Sequence, residues 1–223
     1  MRAVDYRESD RIVTLLTPEL GSVSAIARGA RRSRRRFSGA LSPFCLLDVQ
    51  LTRSRSELFR LEQAQVKRPC MRILAELPRM SAAGALLDMV RRMAAAQAPD
   101  ALTYHTCVEA LWALDSCPEA HIGSHRLAAA ARLVALAGWT PDLGKCGLCG
   151  RVPGPRQSVL LDAAAGHLVC RRCGGAKIAL SAQARAAFAA MLSDGQVEGG
   201  SAGADVQQSI DDALDAIVRC HVD

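Results

Sequence analysis

The stretch 11-RIVTLLTPELGSVSAIARGARRSRRRF-37 decides how the rest of the chain is read. Arg11–Thr17 and Ser22–Arg28 are short and rich in β-branched residues. The four residues between them, Pro18-Glu19-Leu20-Gly21, are the length and composition of a hairpin turn. The second strand then runs into a segment, Ala27–Phe37, in which six of eleven residues are arginine and none is acidic. Guanidiniums at this density repel one another and gain nothing by burial, so they persist when solvated or when facing an anion. Position favours the anion, because the run leaves a strand of a small β-rich region.

Working outward, Leu46–Thr52 and Leu58–Lys67 supply two more strands, the first alternating Asp48 and Gln50 against Leu47, Val49 and Leu51. Several short strands in under seventy residues suggest a small barrel, since an open sheet of that size would leave its edges exposed. An OB-fold β-barrel over residues 1–69 is the expectation, and barrels of that type commonly bind single-stranded nucleic acid. Pro69 marks a change to helical periodicity. Helices are expected from Ser81 to about Ala98, from Asp100, from Ser124 to a stop at Gly138, and from Ser181 to Asp194-Gly195. After Gly199-Gly200-Ser201-Ala202-Gly203 a last helix carries Val206, Ile210, Leu214 and Ile217 on one face and Asp211, Asp212 and Asp215 on the other. The fold class is therefore α+β: an N-terminal OB-fold domain, 1–69, then a mainly α-helical domain, 70–223, with an inserted four-cysteine zinc-binding segment at 142–180.

Charge is distributed unevenly along the 223 residues. The formal net charge is +6, but residues 1–69 hold 14 basic and 7 acidic side chains, whereas residues 181–223 hold 2 and 7. Residues 146–180 hold 5 basic and 1 acidic. Concentrated positive charge at the N-terminal region and around the late cysteines is the footprint of a polyanion binder. A 50% hydrophobic composition supports a proper core, and no apolar run reaches the roughly 18–20 residues that span a bilayer. With no apolar signal core at MRAVDYRESD, the reading is cytoplasmic, associated with the nucleoid and with no membrane partner.

Five of the nine cysteines, Cys45, Cys70, Cys107, Cys117 and Cys220, are scattered and read as reduced, partly buried small hydrophobes. The other four form two C-x-x-C pairs, Cys146/Cys149 and Cys170/Cys173, with twenty residues between the pairs. That is the spacing of a four-thiolate zinc site, in which tetrahedral Zn2+ joins two tight knuckles. Four protein ligands leave no open coordination position, so the ion would be structural. His167 stands three residues before Cys170 and is unnecessary as a ligand beside a full cysteine set. Arg151, Arg156, Arg171, Arg172 and Lys177 surround the knuckles and offset the doubly negative zinc–thiolate centre.

Taken in order, Glu8-Ser9-Asp10-Arg11-Ile12-Val13-Thr14-Leu15-Leu16-Thr17, Ala27-Arg28-Gly29-Ala30-Arg31-Arg32-Ser33, Leu41-Ser42-Pro43-Phe44 and Gly138-Trp139-Thr140-Pro141 leading into Cys146-Gly147-Leu148-Cys149-Gly150 resemble the RecO family of bacterial DNA repair proteins. Leu161-Asp162 with Gly166 before Cys170 adds to the likeness. The resemblance implies an OB-fold followed by a helical domain with a zinc insertion. It also implies a recombination mediator that binds single- and double-stranded DNA, anneals complementary strands, engages the C-terminal tail of the single-stranded-DNA-binding protein, and works with RecR to load the recombinase. DNA binding would fall to Arg28, Arg31, Arg32, Arg34, Arg35 and Arg36, joined by Arg53, Arg55 and Arg60 if these share a face. The chain departs from the pattern in three places. Met1 falls in the late part of the family's first strand, so that strand is expected to be short. Arg7 and His167 stand where glycine is common.

Mediation of this kind needs no chemical step, and the chain is read as a non-enzyme. An alternative is a zinc-ribbon nucleic-acid-binding regulator, although no recognition helix with base-reading side chains is evident. A nuclease would need clustered carboxylates or an open metal, and the carboxylates here are dispersed or lie on one helix face.

Overall fold

A computed structural model of the chain describes residues 2–33, 36–37, 40–54, 57–94, 98–194 and 203–222. Its contacts divide into two compact units, 1–116 and 117–223.

The first unit is built on five strands: β1 (Arg2–Tyr6), β2 (Asp10–Thr17), β3 (Gly21–Ala27), β4 (Cys45–Thr52) and β5 (Phe59–Pro69). The hairpin of β2 and β3 forms as its sequence predicts, with Thr17 paired to Gly21 and Arg11 to Ala27. The Thr17 hydroxyl accepts the Leu20 N–H and donates to the Gly21 carbonyl. Gly21 itself has φ +61°, and a Cβ there would collide with the Ala98 carbonyl, so only glycine serves. Along β3 the burial alternates strictly, turning Val23, Ala25 and Ala27 inward. These meet Val13, Phe59, Leu61 and Ala64, together with Phe37 and Ala40 from beyond the arginine run.

The strand order is β1-β2-β3-β5-β4, with β3 parallel to β5 and the other neighbours antiparallel. No β1–β4 ladder exists among the described residues, so the sheet does not close into the expected barrel. Strand β1 is short and stands at one edge of the sheet. Its five residues pair only with Asp10–Thr14, all five are exposed, and Leu15–Thr17 of β2 receive no partner from it. A cavity of about 380 Å³ in this unit is lined by Leu15 and Thr17 of β2, by Leu47 and Val49 of β4, and by Leu87, Cys107 and Trp112 from its helical part.

Three helices complete this unit: α1 (Met71–Ala75), α2 (Leu77–Met93) and α3 (Ala101–Ser116). Asp100 caps α3 as expected, accepting the Thr103 N–H at 2.9 Å. Helix α2 starts four residues before Ser81 instead, because Pro78 suits a first turn. Arg79 is fully buried between α2 and α3, donating to Glu76 (2.6 Å) and to the Leu114 carbonyl.

The second unit holds α4 (Ile122–Leu136), α5 (Ala182–Asp194) and α6 (Ala204–Val222) beside a four-stranded sheet. Its strands are β6 (Asp142–Cys146), β7 (Val159–Asp162), β8 (His167–Val169) and β9 (Ile178–Leu180), in the order β6-β8-β7-β9. Ser181 caps α5 through the Ala184 N–H at 3.0 Å, and Gly138, at φ +77°, ends α4. Helix α4 begins at Ile122, close to the expected Ser124, which lies just inside it and is almost fully buried. Ile210, Leu214, Ile217 and Val218 of α6 form the buried stripe its periodicity predicts. Asp211 on its acidic face pairs with Arg126 of α4 at 2.7 Å, so that carboxylate ties two helices together.

Candidate nucleic-acid interface and metal centre

The described part of the arginine segment is a loop tied through its backbone at Gly29, Arg31 and Arg36. It leaves β3 at Ala27 and turns at Gly29, whose carbonyl accepts the N–H groups of Arg32 and Ser33. That turn hangs on the one joining β1 to β2. Asp10 accepts the Gly29 N–H at 2.8 Å, and the Ser9 carbonyl accepts the Arg31 N–H at 3.0 Å. The Gly29 N–H is the main reason the Asp10 carboxyl sits below the ordinary carboxylate range. At its far end the loop is pinned by the Ala64 N–H donating to the Arg36 carbonyl, and by Phe37, which is buried in the sheet core.

The guanidiniums stay outside. Arg28, Arg31, Arg32 and Arg36 are exposed. Arg36 closes the loop by donating to the Arg28 carbonyl at 2.9 Å. Arg31 donates to the Glu8 carbonyl and lies 3.9 Å from Asp5, a carboxylate that Arg11 holds at 2.8 Å. Arg60 is exposed, beside Ile26 of β3 and Thr52 of β4 in the sheet register, and forms a 3.1 Å ion pair with Glu62. Arg53 follows Thr52 and lies over the Phe59 ring. The end of β3, the end of β4 and the start of β5 thus lie side by side, which groups Arg28, Arg53 and Arg60 at one end of the sheet. Arg34, Arg35 and Arg55 lie outside the described residues.

The role of the β1–β2 turn was not evident in the sequence. The expected strand begins one residue later, at Arg11, and only the fold brings the Asp10 carboxylate to a backbone N–H nineteen positions away. Arg7 in the same turn has φ +55°, the left-handed region that favours glycine, in keeping with the departure noted at that position.

In the second unit the sulfurs of Cys146, Cys149, Cys170 and Cys173 all lie within 4.8 Å of one another, the one such group of metal-capable side chains among the described residues. Each knuckle is closed by a backbone bond, Gly150 N–H to the Cys146 carbonyl and Gly174 N–H to the Cys170 carbonyl. Both glycines have positive φ, +69° and +65°. Cys149 and Cys170 are 3.8 Å apart, close to the edge of a tetrahedron whose metal–sulfur bonds are about 2.3 Å. The Cys170 N–H donates to the Cys146 sulfur at 3.3 Å and, with further backbone donors, lowers its pKa to about 6. Cys170 is lowered mainly by the Cys173 N–H, while Cys173 is pushed up to about 12 by its sulfur neighbours. Four thiols this close cannot all ionise without a cation among them, so the donor set fits a thiophilic metal.

His167 is not a member of this group. Its Nδ1 lies 3.2 Å from the Leu168 carbonyl and its ring packs over Gly147, where any Cβ would collide with it. Gly147 is therefore demanded by packing against His167. Of the remaining cysteines, Cys70, Cys107 and Cys117 are buried, Cys45 is half-buried and Cys220 is exposed. Burial raises the thiol pKa of Cys70 and Cys107 to about 11, which suits inert core residues.

A cationic loop held on a β-sheet, followed by a helical unit with a tight four-cysteine cluster able to hold a metal, has the features of a nucleic-acid-binding protein. Comparison with known proteins makes this specific. Residues 1–70 match the family model for the recombination protein O N-terminal region, and residues 74–223 match the model for its C-terminal region. The DNA repair protein RecO of Anaeromyxobacter sp. (strain Fw109-5) is 38% identical over 228 residues, covering 100% of this chain and 88% of that protein. The RecO proteins of Anaeromyxobacter dehalogenans (strain 2CP-C) and Myxococcus xanthus (strain DK1622) are 41% and 36% identical, each over 78% of this chain and over 67% and 70% of their own lengths. The chain belongs to the RecO family, and is in general terms a non-catalytic mediator of DNA repair and recombination. No described helix is long and apolar enough to cross a membrane.

Proposed function

We propose that the chain binds single- and double-stranded DNA without sequence preference, anneals complementary strands, and acts with RecR and the C-terminal tail of the single-stranded-DNA-binding protein to help load the recombinase at the nucleoid. The DNA-contacting residues in this reading are Arg28, Arg31, Arg32, Arg34, Arg35, Arg36, Arg53, Arg55 and Arg60, on a nucleic-acid-binding domain formed by residues 1–69. The strand order, with β3 parallel to β5, supports an OB-type sheet open between β1 and β4. One observation carries the assignment: the loop backbone is fixed at Gly29, Arg31 and Arg36, while the described arginine tips remain exposed. A preorganised row of guanidiniums meets phosphates at little ordering cost, and phosphates are the same at every nucleotide. Neutralising two strands removes much of their repulsion, after which base pairing itself performs the annealing.

In the helical domain, 70–223, Cys146, Cys149, Cys170 and Cys173 hold a structural Zn2+ that crosslinks the two knuckles of segment 142–180. The ion takes no part in a reaction. The test is a salt titration of DNA affinity for the protein and for a variant with Arg31, Arg32, Arg34, Arg35 and Arg36 replaced by alanine. Affinity should fall steeply with salt, and the variant should lose most of it. Equal affinity of the two at about 0.1 M salt, where the Debye length is roughly 10 Å, overturns the assignment.

A further inference from the structure

The knuckles carry a charged surface that the loop does not explain. Lys145, Arg151, Arg156, Arg171, Arg172 and Lys177 are all exposed, and none is held in an ion pair with a described residue. The segment's two carboxylates are occupied as turn caps, Asp142 by the Gly144 N–H and Asp162 by the Ala165 N–H. Elsewhere in the chain exposed arginines do find carboxylates, as Arg72 finds Glu76 and Arg219 finds Asp215. A doubly negative zinc–thiolate centre and the two carboxylates offset four of these six cations, so a surplus remains. Arg171 and Arg172 fill both positions between Cys170 and Cys173, which fixes them beside the sulfur cluster. Arg151 follows the first knuckle, and its carbonyl accepts the Cys146 N–H. Leu148 and Val152, 63% and 73% exposed, stand on and after that same knuckle.

We propose that this knuckle surface is a second phosphate-binding site, taking a second single-stranded DNA, so that one molecule holds two strands, one on each folded unit. The inference rests on the reading of the arginine loop as the first DNA site. Annealing requires two polyanions to be held by one protein, and a single loop would have to place both on the same guanidiniums. Two cationic surfaces on separate units remove that conflict. Arginine supplies the planar fork that matches phosphate oxygens, and Leu148 and Val152 offer apolar contact to sugars and splayed bases.

The test uses the zinc-loaded full chain, a variant with Arg151, Arg171 and Arg172 replaced by alanine, and the loop variant lacking Arg31, Arg32 and Arg36. Zinc content and thermal melting verify that each is folded, and Arg151→Ala alone, outside the ligand pairs, is the fallback. The readouts are the number of short oligothymidylates bound per chain and the annealing rate of complementary oligonucleotides. The wild-type protein should bind two and each variant one. The knuckle variant should anneal roughly tenfold or more slowly, with a salt slope lower by about two. A wild-type stoichiometry of one, confined to the loop, overturns this proposal and leaves the loop assignment standing. Wild-type annealing by the knuckle variant also overturns it, as does loss of binding to a poly-glutamate peptide with DNA stoichiometry unchanged. Absence of DNA binding by the wild-type protein refutes the loop assignment instead.

Discussion

Asp10 gives a prediction in which two physical effects have opposite signs. Replacing it with alanine takes a carboxylate away from the edge of the arginine loop and raises the formal net charge from +6 to +7. If bulk charge governed DNA affinity, Asp10→Ala would bind more tightly. The geometry says otherwise, because that carboxylate accepts the Gly29 N–H at 2.8 Å and so holds the turn on which Arg31 and Arg32 are carried. Without it the turn loses its anchor at Gly29 and keeps the Arg31 contacts to the β1–β2 turn and the Arg36 contacts to Ser33 and the Arg28 carbonyl, and binding must then supply part of the order the fold no longer provides. Re-fixing a single backbone residue is worth roughly a tenfold shift in an equilibrium, and two residues roughly a hundredfold. Asp10→Ala should therefore bind single-stranded DNA about ten- to a hundredfold more weakly. Asp10→Asn has the same net charge as Asp10→Ala but keeps an oxygen acceptor, and should recover most of the loss. Fluorescence anisotropy at one fixed salt concentration measures all three proteins, with melting curves verifying that the sheet survives. Affinity for Asp10→Ala equal to or above wild type, or equal losses for alanine and asparagine, would refute the positioning argument.

Other consequences are simpler. Chelation, or Cys146→Ser, should release zinc in proportion to protein and lower the melting temperature by about 10 °C or more, since structural zinc supplies folding free energy directly; metal analysis with calorimetry reads both. Glu76 is held below its ordinary pKa of 4.5, first by the hydrogen bond from Arg79 and then by that from Arg72. Its stabilising contribution is full above the ordinary value and is lost as pH falls through the lowered one. Glu76→Gln should therefore lower stability at neutral pH and flatten its decline below about pH 5 in urea titrations. Arg7→Gly should raise stability by up to about 1 kcal/mol, because a left-handed conformation costs a non-glycine residue about 1–2 kcal/mol and glycine's chain entropy takes back part of the gain.

Local chemistry made most of the elements legible. The hairpin could be read from its turn residues, α3 and α5 from Asp100 and Ser181, and the thiolate cluster from two matched C-x-x-C pairs. What failed depended on distant partners. A barrel was expected because exposed edges are unfavourable, yet β1 pairs only with Asp10–Thr14 and no β1–β4 ladder forms among the described residues. Gly147 was legible as a glycine of the knuckle but not for its reason, which is the His167 ring twenty residues away.

The same distinction bears on why the arginine loop is built as it is. Six arginines in eleven residues would by composition alone suit a disordered basic arm, which pays its ordering entropy on binding. Here the described ends of the segment are tied by groups that carry no positive charge: the Asp10 carboxylate, the Ser9 carbonyl, the Ala64 N–H and the buried ring of Phe37. Asp5 adds a further element, since its ion pair with Arg11 and its 3.9 Å approach to Arg31 occupy guanidiniums where a phosphate would bind. An exposed pair of this kind is weak, about 1 kcal/mol or less, so a phosphate can exchange with it at small cost. A backbone tied at both described ends with weakly occupied tips favours fast exchange over tight capture. The proposed annealing role would need that balance, because a strand held too firmly could not slide into register with its complement.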